Sequence, residues 1–137
     1  MKINKLIEYL HGIAPSYLQE DYDNAGLIVG DPDTEIKGVM VCLDAIESVV
    51  DEAISLGCNL VVAHHPIIFR GIKQLNGKNY IERTVIKAIK NDIAIFAIHT
   101  NLDNVLISGV NTKIAEKLSL TNTTILSLKS KGLQEIN

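Results

Sequence analysis

Two consecutive imidazoles, His64 and His65, close the apolar, valine-rich run Asn59 to Ala63 and are followed at once by Pro66. The run reads as a short buried strand, and the proline keeps His65 out of a helical conformation. Neutral imidazole is the commonest side-chain ligand for Zn, Fe, Ni and Cu, so two of them where a strand gives way to a loop suit half of a metal site. The bland alternative is a pair of solvated turn histidines. Adjacent side chains on extended backbone diverge, so one imidazole per ion is the easier geometry and two divalent ions are implied. Further along, His99-Thr100-Asn101-Leu102-Asp103 adds an aspartate that can hold or bridge cations. His99 is then a further ligand or a partner to one, with Asn101 and Asp44 as outer candidates. Imidazole with carboxylate suits Zn, Mn, Fe or Ni, and bound water whose pKa falls from 15.7 to about 7 makes hydrolysis the natural reaction.

These residues need a scaffold that brings them together. Ile3, Leu6, Ile7 and Leu10 fall at helical spacing, and residues 16–32 read as a loop with an edge strand at Leu27 to Val29. Val39 to Leu43 is apolar at every position, as expected for a strand buried on both faces. Asp44 with Glu47 makes a capping-box pattern before a helix that Gly57 ends, although Asp44 also competes for a place in the site. A second helix is expected over Tyr80 to Asn91, a strand over Ile93 to Ile98, and a last helix near Val110 to Leu118 with one apolar side. Alternation of strand and helix implies right-handed crossovers and a largely parallel sheet. Asp44, His64, His65, His99 and Asp103 then meet at one carboxyl edge, where open α/β sheets bind ligands.

The 137 residues fit one domain, with residues 1–120 as its α/β metal-binding body and 121–137 as a tail. With 47% hydrophobic and 21% charged residues the composition is that of a soluble protein. No secretory signal or membrane span is read, which places the chain in the cytoplasm. Cys42 and Cys58 lack metal or disulfide spacing, and a net charge of -3 argues against a nucleic-acid partner. Between residues 70 and 90 the only acid is Glu82. Arg83, Lys87 and Lys90 read as a solvated helix face, whereas Arg70 and Lys73 follow the histidines closely enough to meet an anionic substrate. No phosphate loop, GxSxG elbow or HExxH is present.

Five stretches together resemble one known family: Asp23-Asn24-Ala25-Gly26-Leu27, Val41-Cys42-Leu43-Asp44, Ala63-His64-His65-Pro66, His99-Thr100-Asn101-Leu102-Asp103 and Gly109-Val110-Asn111. They look like the successive motifs of the Nif-three-like family, the GTP cyclohydrolase 1 type 2 homologues. The resemblance runs from about Leu6 to Leu120, with Tyr22 where many members carry tryptophan. It implies a three-layer α/β half, with a mostly parallel or mixed sheet flanked by helices, of a two-lobed fold. Residues 121–137 would begin the second half. It also implies ring-shaped homo-oligomers, commonly hexamers, and a dinuclear centre in which His64, His65 and Asp103 are ligands. A metal-dependent hydrolase acting on a nucleotide or related small molecule follows, with Asn24, Arg70 and Lys73 as candidate substrate contacts. The competing expectation is a metal-binding structural or regulatory protein that works through its assembly.

Overall fold

The structure, a computed structural model, describes residues 1–126. In chain order it contains α1 (Ile3–Ile13), a 3-10 turn (Ser16–Leu18), β1 (Gly26–Val29), β2 (Val39–Asp44), α2 (Glu47–Ser55), β3 (Leu60–His65), α3 (Tyr80–Lys90), β4 (Ala94–Ala97), α4 (Thr100–Asp103) and α5 (Val110–Lys117). Most of the tail expected over 121–137, and with it the start of a second half, lies outside the described residues.

The four strands form a mixed sheet in the order β1-β4-β3-β2, with β2, β3 and β4 parallel and β1 antiparallel to β4. Side chains of β3 and β4 alternate between two cores, as the pleat requires. Val61, Ala63 and Ile95 pack with Val50 and Ala53 of α2 and Val85 and Ala88 of α3. Leu60, Val62, Ala94 and Phe96 pack with Ile3, Leu6, Ile7 and Leu10 of α1. The result is three layers with the sheet in the middle. Phe96, Leu60 and Ile95 are fully buried, each stabilising the fold by roughly 2 kcal/mol relative to exposure. At the turn after β1, Gly30 has φ 108°, and a Cβ there would stand 2.6 Å from that of Ala94, so the turn requires glycine.

Four expectations need correction. The strand expected to be buried on both faces is the sheet's edge: Met40 and Cys42 reach the α2 and α3 core, but Val41 and Leu43 are 75% and 60% exposed. α1 covers the central strands and does not extend over β2, so an apolar run there gives no information about burial. The last helix has no buried residue, so its supposed apolar side faces no core. Asp44 does not cap α2, which starts at Glu47 after Ile46 with no side-chain cap. Arg83 and Lys87 are likewise more than a solvated face, since they pair with Glu47 and Asp51 on α2.

Candidate metal centre

Parallel pairing brings the ends of β2, β3 and β4 to one edge, with Asp44 opposite His65 in register and His99 two residues beyond β4. Pro66 and the bend after it stop β3 from continuing, so the two imidazoles end the strand. The His64, His65 and His99 rings cluster with centroids 4.8 to 5.5 Å apart. Each offers a ligating nitrogen, and these three nitrogens all lie within 4.8 Å of one another.

Every ring in the cluster is held by its Nδ1. His64 Nδ1 donates to the Ile98 carbonyl at 3.0 Å, His65 Nδ1 to Asp44 Oδ1 at 2.8 Å, and His99 Nδ1 to Asp23 Oδ1 at 2.8 Å. A carbonyl and an ionised carboxylate only accept, so Nδ1 carries a proton, and a ring in its neutral form then leaves Nε2 with a free lone pair. Such bonds from the far nitrogen to a carbonyl or carboxylate set the tautomer and orientation of metal-binding histidines. His64 Nε2 lies 3.7 Å from Asp103 Oδ1, which α4 projects beside the cluster. The donor set therefore fits a divalent ion that prefers nitrogen and oxygen.

Asp23 is the residue that sequence reasoning left out of the site. Its side chain is fully enclosed. It accepts from His99 Nδ1, the Asn24 and Thr100 backbone N–H groups and the Thr100 hydroxyl. Burial by itself would raise the carboxyl pKa, but these hydrogen bonds outweigh it and hold the group below the ordinary aspartate range. The available signal was its place beside Asn24 in a polar, poorly periodic loop. Nothing in that loop pointed to a partner 76 residues away.

The outer candidates divide. Asp44 belongs to the cluster through His65. Asn101 is 2% exposed and is spent on the scaffold, accepting from the His99 N–H at 2.9 Å and donating to the Ala14 carbonyl at 2.8 Å. Asn24 also has a structural bond, its Nδ2 donating to the Ile68 carbonyl at 2.6 Å and so pinning the loop after the histidines. Arg70 and Lys73 line a cleft of about 650 Å³ that begins at Phe69. Cys42 is half-buried among apolar neighbours, and burial together with the Asp44 charge raises its pKa. No helix among the described residues is long and apolar enough to cross a membrane.

Known proteins share this arrangement of sequence. A protein of Clostridium acetobutylicum named GTP cyclohydrolase 1 type 2 homolog is 35% identical over 135 residues, which is 98% of this chain and 50% of that protein. One of the same name from Staphylococcus aureus is 41% identical over 127 residues, covering 93% of this chain and 34% of its own length. The chain thus spans between a third and half of these relatives. Among solved structures, a Bacillus cereus protein related to NIF3 superposes with a TM-score of 0.87 at 40% identity, over 94% of this chain and 36% of that one. Reduced HcgD from Methanocaldococcus jannaschii gives 0.84 at 35% identity, over 93% and 50%. The family described as Duf34/NIF3 (NGG1p interacting factor 3) matches residues 1–136, and this chain is one of its members.

Proposed function

We propose that the chain carries the N-terminal ligands of a dinuclear metal centre in a hydrolase acting on a nucleotide or related small molecule. The observation that carries this reading is the convergence of three imidazoles, each bound at Nδ1 and free at Nε2. His64, His65 and Asp103 are the proposed ligands, and His99 completes the nitrogen face of the site. Divalent ions held there would lower the pKa of coordinated water to about 7 and polarise a substrate oxygen. The chain's own contribution is orientation: Asp23, Asp44 and the Ile98 carbonyl fix the rings, and Asn24 braces the loop that follows them. His64 and Asp103 side chains are only 21% and 37% exposed, which limits how much solvent reaches that pair. The relatives' name supports the hydrolase class, and the absence of a nucleophile motif agrees with it. The same reading includes a homo-oligomer, a hexamer by family likeness, in the cytoplasm. The exposed apolar side chains of Val41 and Leu43 are the surface feature that favours assembly.

The test is metal content by elemental analysis for the chain and for His64→Ala, His65→Ala and Asp103→Ala, beside circular dichroism. Each variant is expected to keep its fold and lose bound metal. Unchanged stoichiometry in all three would remove the site. Turnover of a nucleotide panel by the metal-loaded protein, alongside sedimentation analysis, then separates a hydrolase from a protein that uses metal only to assemble.

A further inference from the structure

The cleft beyond Phe69 has features that the metal centre does not explain. It is lined by Phe69, Arg70, Ile72 and Lys73 on one side and by Asn79, Ile81 and Glu82 at the start of α3 on the other. All five salt bridges of lysine and arginine among the described residues lie elsewhere, on Lys2, Lys5, Arg83, Lys87 and Lys113. Arg70 and Lys73 thus stand exposed in the cleft with no carboxylate partner. The one acid there, Glu82, is already engaged: it accepts from the Asn76 and Lys78 N–H groups and from Asn79 Nδ2. The Lys78 N–H leads in holding its carboxyl below the ordinary range, against the opposing effect of burial. Glu82 therefore fastens residues 76–79 to α3 and stiffens the end of the loop that carries the two free cations.

Phe69 joins this cleft to the imidazoles. Its ring stands edge-on to His99 with centroids 6.3 Å apart and is tilted against Tyr22 at the same distance. A molecule lying along Phe69 would have one end at the cations and the other at the cluster.

We propose that this cleft is a binding site for a phosphorylated small molecule, with the phosphoryl group at Arg70 and Lys73 and a planar portion against Phe69. Guanidinium and ammonium are the side chains that hold phosphoryl oxygens by charge-assisted hydrogen bonds, and an aromatic face is the matching surface for a flat ring. The proposal rests on the metal-centre reading only in taking the ligand of the cleft to be the substrate of the neighbouring site. Its test is therefore run in excess chelator, where the ions cannot hold phosphate themselves.

Binding of phenyl phosphate, phenol, inorganic phosphate and a short oligothymidylate is measured by calorimetry or NMR titration. Phenyl phosphate is expected to bind about tenfold more tightly than phenol or inorganic phosphate. Arg70→Gln/Lys73→Gln should weaken phenyl phosphate about tenfold or more, with unchanged circular dichroism. Phe69→Ala should weaken phenyl phosphate several-fold and leave inorganic phosphate unmoved. Equal phenyl phosphate affinity in the double variant overturns the site, and so does tighter binding of the oligothymidylate, which would point to a nucleic-acid backbone. Metal binding retained by the double variant leaves the metal-centre reading standing whichever way the cleft is decided.

Discussion

Two aspartates hold two histidines of the cluster by the same bond, at the same 2.8 Å, in opposite surroundings. The Asp23 side chain is fully enclosed and its His99 partner 18% exposed, whereas Asp44 and His65 are 56% and 45% exposed. Equal lengths therefore conceal unequal strengths. Around Asp44, water can replace either partner, so the bond orients His65 and adds little to stability. The Asp23 carboxylate is itself shut off from solvent, four donors are committed to it, and its loss leaves the part-buried His99 and Thr100 donors without an acceptor. One pair orients a candidate ligand; the other holds the loop of residues 20–24 against the end of β4.

The comparison can be broken by mutation. Asp23→Ala should have the largest effect, lowering unfolding stability by about 3 kcal/mol in urea titration, as leaving several enclosed donors without their acceptor does. Asp23→Asn should be nearly as severe, because an amide NH₂ would face a donor where a carboxylate oxygen accepted. It should also weaken metal binding by about tenfold or more through a disoriented His99. A loss no greater than that of the corresponding Asp44 variant would refute the contrast.

Acid should sharpen it next. A carboxyl whose folded pKa is depressed contributes stability that is fully present above its unfolded value, about 3.9, and is lost as pH falls through the folded value. The stability gap between the wild type and Asp23→Asn should thus hold flat from pH 7 to about 5 and narrow below about 4. Urea midpoints across that range measure it, and a gap that widens on acidification contradicts the assignment.

The smallest effects belong to Asp44. Asp44→Ala should cost no more than about 0.5 kcal/mol, the scale of an exposed ion pair, and Asp44→Asn less, because the amide oxygen still accepts from His65. Metal affinity should fall by less than tenfold in both, with Asn milder than Ala. Because Asp44 does not cap α2, the helix itself should be untouched, which amide hydrogen exchange over Glu47–Ser55 would record.

How far the sequence carried follows from the same contrast. The convergence of His64, His65, His99 and Asp103 was legible because parallel strands deliver their ends to a common edge, a consequence of topology that periodicity alone implies. Asp44 bonds His65, but its expected capping role was not borne out, because a short polar residue before a helix looks alike whether it bonds the backbone or a neighbouring strand's histidine. Asp23 could not be found by local pattern, since its four donors are assembled only by folding. The edge position of β2 was hidden for a related reason. Val39 to Leu43 is as apolar as the central strands, and strand order, not composition, decides which run is covered. The helical turn α4 was not anticipated, four residues being too few to show a period.

The bonds that orient the imidazoles share one further property. Asp44 is 21 residues from His65, Ile98 is 34 from His64, and Asp23 is 76 from His99. None can persist in an unfolded chain, where loop closure over such spans goes uncompensated. The cluster that could seat an ion is therefore assembled only once β4 has docked, so cation occupancy, on the proposed reading, would be linked to folding in a single equilibrium. At a free ion concentration 100 times the dissociation constant, occupancy should add about 2.7 kcal/mol to the unfolding free energy. Melting temperature should rise with the logarithm of metal concentration and fall on chelation. In Asp23→Asn that concentration dependence should be shifted to higher metal, so that thermal scans over a metal series report the orientation of His99 without any substrate in hand.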